Sequence, residues 1–379
     1  MSIFQLENTS PERILLKYYV ERLAALCVIV RHGSNGFHNV LLPMAIDDPC
    51  LLYALFAYAS VHLSMTTPVP DILRLSRLKF EGEAARCLSR AIQHDTVSAS
   101  SIACALICST TEVLSGSTRQ WFVHLRGAGH LIAQYGGPAS LQGTRDGLFL
   151  LRNFAYHDIM AALSTGTRPQ IPGLYWIGDK NEEEEDADCL MGLSHRILSH
   201  ISELCVLIAD SNDDEASTRS SEASILRRGD QIAQRLIEQP LRACPPAVND
   251  EYDILLHHAE SFRYAALLHL DRFICRIQPD RSDNVDNLVQ HIMYHLSQIP
   301  FGSHCEMGLI FPLFMVGVAA AGTTTRTVEY VRQRLGHIFD WTRFEHITRM
   351  QDVLDLLWRS GRSDWDRLLL ELKWQISIA

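Results

Sequence analysis

Seventeen histidines and ten cysteines give this 379-residue chain ample material for metal ligation or proton transfer, and spacing decides whether any of it is organised. His291 and His295 stand one helical turn apart, as do Cys104 and Cys108, a separation at which two side chains on one helix face can share a metal ion. Neither pair is accompanied by the glutamate of the HExxH pattern or by a second ligand pair at a recognisable spacing. Both read as ordinary helix residues, and no metal is expected. The neighbours His257 and His258 point about 100° apart around a helix and do not readily chelate one ion. The glycine-rich loops that cradle nucleotide phosphates are missing, and so is a serine set between spaced glycines, so no cofactor is implied. Gly127-Ala128-Gly129 lies inside a helical pattern and reads as a place of close helix packing. Trp121 and His124 share a helix face; an aromatic ring beside a titratable donor suits the core, or the border of a ligand cavity.

Helices must position nearly all of these side chains. Apolar residues recur at helical spacing and strand-like alternation is almost absent, which predicts an all-α protein of about 12 to 14 helices. Ser10-Pro11-Glu12 opens the first, with a hydroxyl cap, a proline in the first turn and a carboxylate near the positive end of the dipole. It is expected to run to about Arg31 and stop at Gly33-Ser34-Asn35-Gly36. Asp48-Pro49 starts a second helix carrying Leu51, Leu52, Leu55, Ala59 and His62, and Pro68-Val69-Pro70 separates it from one spanning Ile72 to Gln93. Ser98 to Leu114, Thr118 to Tyr135 and Asp146 to Ser164 follow, with Gly136-Gly137-Pro138 as a stop. The later helices are placed at Ile225 to Glu238, Glu251 to Ile277, Asn284 to Ser297, Met307 to Ala321, Val328 to Phe339, Glu345 to Arg359 and Asp364 to Ile376.

Between the halves the composition changes. Thr165 to Lys180 is rich in glycine and proline, and the run Glu182 to Asp186 reads as a solvated acidic loop. One large helical domain over 1–379 is therefore expected, divisible into lobes at about 1–178 and 189–379 around an acidic loop at 179–188, and Ser211 to Ser221 reads as a second polar loop. Trp341, Trp358, Trp365 and Trp374 look like anchors that fasten the C-terminal helices to the core.

Composition narrows the function. With 47% hydrophobic and 21% charged residues the chain can bury a large core, which excludes disorder over most of its length. Lysine and arginine number 34 against 44 acidic residues, a formal charge of −10. Nucleic-acid binding draws on cationic side chains that displace counterions from phosphates, so direct contact with DNA or RNA is not expected. The apolar stretch Met307 to Gly322 contains Pro312 and is shorter than the ~20 residues a bilayer span needs, so no membrane span is expected. The N-terminus has no basic segment ahead of an apolar one, which predicts an intracellular chain with free thiols.

Five stretches, in order, resemble the fungal-specific transcription factor domain, the regulatory region of fungal zinc-cluster transcription factors, in a subgroup that includes the acriflavine sensitivity control protein. They run Leu41 to Leu63, Ser109 to Ile132, Glu260 to Ile274, Phe311 to Gly322 and Val353 to Ile376. Leu42, Pro43 and Pro49 match residues flanking the turn before a buried helix. Glu112, Trp121, His124, Gly127 and Ala128 match a paired-helix motif; Arg263, Pro312, Trp358 and Trp365 match the C-terminal half. Such factors carry, ahead of this domain, a six-cysteine cluster that binds two zinc ions and reads DNA. No two cysteines here are separated by two residues, and Cys27 falls inside the first expected core helix, so that reader is not expected in this chain.

The resemblance implies a nuclear regulator of a fungal pathway, in particular a secondary-metabolite gene cluster. It would act through a DNA-bound transcription factor or another regulatory protein, or by sensing a small-molecule metabolite. A homodimerisation scaffold is a further reading. The alternative from another class is an enzyme, an isomerase or cyclase holding an apolar metabolite in a helical cavity. No catalytic set is legible. For a bound small molecule the candidate residues are Trp121 and His124 from the paired-helix motif, Arg168 from the polar loop beside it, and His257, Arg263 and Tyr264 from the later matching segment.

Overall fold

The computed structural model describes residues 10–30, 35–67, 71–177, 187–213, 219–241, 250–281, 284–321 and 325–379. The Pro68-Val69-Pro70 break, the acidic run 182–186, residues 33–34 of the first expected turn and 214–218 of the second polar loop lie outside the described residues. Among those described, every regular element is helical, and β pairing is confined to a single bridge between Asp188 and Gly192. The chain is an all-α single domain, and the helical class is the one its periodicity predicts.

Ser10 caps α1 (Pro11–Tyr18) by accepting the N–H of Arg13. The chain continues through a π-helical turn, Tyr19–Leu23, into α2 (Ala24–Leu26), and stops well short of Arg31. The N–H of Ile29 bonds instead to the carbonyl of Cys189 at 2.9 Å, so this strip of backbone finds its partner across the fold. Two short helices follow, α3 (Gly36–Asn39) and α4 (Leu41–Asp47). Leu42 and Pro43, expected to flank a turn, lie in the first turn of α4, where proline's missing N–H would be unpaired anyway.

Asp48 accepts the N–H of Cys50 at 2.8 Å and opens α5 (Pro49–Thr66). This helix, rather than the Phe311 segment, is long and apolar enough to cross a membrane by length and composition, yet 67% of it is buried inside the protein. An apolar surface on every side suits a central helix, and α5 packs against α1, α4, α6 (Asp71–Gln93) and α7 (Ala99–Leu114). Ser98 and Ser101 form a reciprocal capping box at the start of α7. Next come α8 (Gln120–Gln134), α9 (Ala139–Gln142) and α10 (Arg145–Thr165), the last closed by Gly166 in the left-handed region. Within α8 the close packing falls on Ala128 and Gly129, not Gly127. A Cβ on Gly129 would meet Gln170 at 2.7 Å and Phe154 at 3.2 Å, whereas one on Gly127 would meet nothing.

The remaining helices are α11 (His195–Asp213), α12 (Arg219–Glu238), α13 (Asp250–Ile277), α14 (Val285–Ser297), α15 (Ile310–Ala319), α16 (Thr325–Thr342), α17 (His346–Ser360) and α18 (Trp365–Leu372). A 3₁₀ segment, His304–Leu309, leads into α15. Fourteen of the described α-helices reach eight residues or more; the extra pieces are the short connectors. The 28-residue α13 is the axis of the second half, in contact with α11, α12, α14 and α15. Beside it the wholly buried Glu306 pairs with Arg334 at 2.7 Å, and Arg334 also donates to the carbonyl of Ile299.

The final helix ends at Leu372 rather than Ile376, because Lys373 takes a left-handed φ of 56° and the backbone turns away. That tail is sewn to the start of α8. Gln375 N–H bonds to Thr118 at 2.8 Å, Trp121 Nε1–H to the carbonyl of Gln375 at 2.6 Å, and Arg119 to the carbonyl of Lys373 at 3.1 Å. Trp358 donates to the carbonyl of Gly317 at 2.8 Å, and Trp365 lies edge-on to Phe314. These tryptophans do anchor the C-terminus.

Candidate functional site

The six side chains singled out in the sequence do not converge. Trp121 is buried and spends its indole N–H on the tail. His124, half-buried on the same helix, is held below the usual histidine range by burial, which outweighs the nearby Glu112. Arg168 is exposed and pairs with Asp210 at 2.8 Å, a carboxylate that also holds Arg228 at 2.6 Å. It lines a surface groove of about 670 Å³ between the 168–174 loop, α11 and α12. Arg263 is buried and acts as a helix stop. Its guanidinium donates to the carbonyls of Leu236, Ile237 and Gln239 at the end of α12 and pairs with Glu260 at 3.0 Å.

His257 and Tyr264 face α14. Tyr264 stacks nearly parallel on His291, with ring centres 4.5 Å apart, and His257 meets His295 Nδ1 to Nδ1 at 2.9 Å. One of those nitrogens donates and the other accepts, which requires at least one neutral ring. Burial, followed by His257, His291 and Arg263, pushes His295 down to about 4. The turn-spaced pair His291 and His295 is thus committed to stacking and hydrogen bonding. Cys104 likewise sits 3.4 Å from Cys50, sulfur to sulfur, in the core. Among the described residues no group of three or more His, Cys, Asp or Glu side chains is placed to hold a metal ion.

A cavity of about 550 Å³ opens on the opposite side of α13, walled by the end of α10, by α11, by α18 and by the tail. Its α13 wall consists of His269, Arg272, Phe273, Arg276 and Ile277. Across from them stand Trp365, Asp366 and Trp374, with Thr165 and Thr167 at one end. Arg276 binds Asp366 through two hydrogen bonds, at 2.6 and 3.0 Å. Arg272 gives one N–H to the carbonyl of Ser363 at 2.7 Å. Nε2 of His269 is buried and has no hydrogen-bond partner. Burial and the cations Arg276 and Arg272 push that imidazole down to about 4, so it is neutral at pH 7. Left-handed Gly166 lets α10 end at the cavity rim, and Asn212 donates to its carbonyl. The site is therefore an aromatic-walled chamber with a polar, cationic side.

The family model of the fungal specific transcription factor domain matches residues 14–379 of this chain. The chain belongs to that family. It is 22% identical over 383 residues to an uncharacterized transcriptional regulatory protein of Schizosaccharomyces pombe, covering 95% of this chain and 70% of that protein. It is also 22% identical over 360 residues to the transcriptional activator protein UGA3 of Saccharomyces cerevisiae, covering 80% of this chain and 65% of UGA3. The chain thus spans about two thirds of the length of these relatives. No solved structure matches it.

Within this family member the cavity residues of α13 were the ones sequence reasoning passed over. His269, Arg272, Phe273 and Arg276 follow one another at offsets of three, four and seven, a single helical face carrying polar and aromatic groups. The signal was present in the spacing. The opposing Trp365, Asp366 and Trp374 lie some hundred residues away, and nothing in α13 itself announces them.

Proposed function

We propose that the chain is a nuclear transcription regulator that controls a fungal secondary-metabolite gene cluster. The observation that carries this reading is the match of nearly the whole chain to a domain of fungal transcription factors. The regulator works through a DNA-bound partner protein or a bound metabolite. A net charge of −10 opposes phosphate contact by this polypeptide, which supports action at second hand. A concave, aromatic-lined cavity of the size that holds small ligands supports a metabolite input.

Deletion of the gene, with transcripts and metabolites profiled in the same strain, tests the reading. Transcripts of neighbouring genes are expected to fall together with their product. Unchanged transcripts with loss of one metabolite, and turnover of a pathway intermediate by the purified chain, would replace the regulator by the isomerase or cyclase alternative.

A further inference from the structure

The cavity beside α13 has an unbalanced charge. Arg272 and Arg276 face a single carboxylate, Asp366, and Arg276 takes both of its oxygens. Arg272 lies within ion-pair distance of no carboxylate among the described residues; its hydrogen bond goes to the neutral carbonyl of Ser363. Asp271, next to it in sequence, turns the other way and accepts the N–H of Asn284 at the start of α14. Burial and then the neighbouring Arg276 make the charged form of Arg272 costlier than in water, outweighing the longer-range pull of Asp366 and Asp271. One turn away on the same face, the buried Nε2 of His269 lacks a partner. A partly desolvated guanidinium and an unpaired buried nitrogen both carry a cost that a suitably placed anion removes.

Beside these cations the chamber has an apolar, aromatic wall, with Thr165 and Thr167 at one end. Trp365, only 2% exposed, and Phe273 line it, and the exposed Leu370 stands at its rim. We propose that this cavity binds an organic monocarboxylate with a flat, apolar body. Its carboxylate lies on Arg272 and the Nε2–H of His269, and its body lies against Trp365 and Phe273. A single negative charge matches the excess of one cation, and an apolar body matches the aromatic wall. A phosphate ester or polyol would leave that wall unused. As an input to transcription the site rests on the regulator reading; as a binding site it stands by itself.

The test is calorimetric titration of the full chain with 2-naphthoate and with its neutral counterpart 2-naphthamide. One molecule of the acid is expected to bind, about tenfold or more tighter than the amide, the margin of a charge-assisted contact. Arg272→Met, which keeps the apolar stem, is expected to bring the acid down to the affinity of the amide. Leu370→Glu places a carboxylate at the rim at a side chain that is 77% exposed and makes little of the core. It is expected to weaken the acid several-fold and leave the amide unchanged, whether or not the Arg272 variant folds. Arg168→Met, in the separate groove, is expected to change neither. Equal affinity for acid and amide, acid binding indifferent to both cavity variants, or no binding of either compound to the folded wild-type chain overturns the proposal. A failed titration beside intact transcript loss in the deletion strain discards the ligand site alone. Binding without transcript loss discards the regulator alone.

Discussion

Arg263 shows how a charged side chain in this protein works as structure. Its planar fork reaches the last carbonyls of α12, which have no helical N–H left to satisfy them, and Glu260 balances its charge. Arg263→Ala strands buried carbonyls and a carboxylate together. Urea unfolding is expected to register a loss of about 3–5 kcal/mol, the range for breaking a buried pair. Arg263→Lys is expected to recover only part, since an ammonium cannot cover three carbonyls from one plane. The resemblance of its segment to the family could not by itself separate a ligand contact from a helix cap. The distinction lay in the end of α12, some 25 positions upstream, which no local pattern reveals.

Helices α8 and α15 offer a contrast in what a glycine does. Gly127 meets no neighbour, so its only effect on α8 is the entropy it adds to the unfolded chain. Gly127→Ala is expected to stabilise by about 0.5–1 kcal/mol. Gly317 lies under α17: a Cβ there would approach both methyls of Leu354 at 2.8 Å, and its carbonyl accepts the indole N–H of Trp358. Gly317→Ala is expected to cost about 1–3 kcal/mol by overpacking. Thermal melts of the two variants side by side check both signs. Helix starts were legible where a cap stood beside a proline or a capping box, at Ser10, Asp48 and Ser98. Helix ends at Leu26 and Leu372 were not, because contacts with Cys189 and Thr118 draw the backbone away.

Across the molecule, buried imidazoles set the response to acid. Burial holds His157, His258, His269, His295 and His346 down to about 4. In the unfolded chain a histidine titrates near ~6.5, so between those values the unfolded state binds the protons and the native state does not. The native state therefore loses stability as pH falls through 6.5 towards 4. Asp158 acts in the opposite sense: burial raises it to about 6, although Gln170 and Ile171 donate to it, so protonation favours the folded form. Five groups oppose one, and the urea midpoint is expected to drop between pH 7 and pH 5. A midpoint that holds or rises over that interval would contradict the buried, neutral state of these rings.

The all-helical class, most helix starts and the family were written in the sequence, because periodicity, caps and motif order are properties of neighbouring residues. Even the face of α13 that carries His269, Arg272, Phe273 and Arg276 could be read from its offsets. What that face looks onto was decided by tertiary structure. The C-terminal tail, held at Thr118 and Trp121, and α18, tied to Arg276 through Asp366, bring two tryptophans and one carboxylate opposite two arginines. Whether a cation is balanced depends on every group within a few ångströms, whatever its place in the chain, and only the folded packing supplies that list.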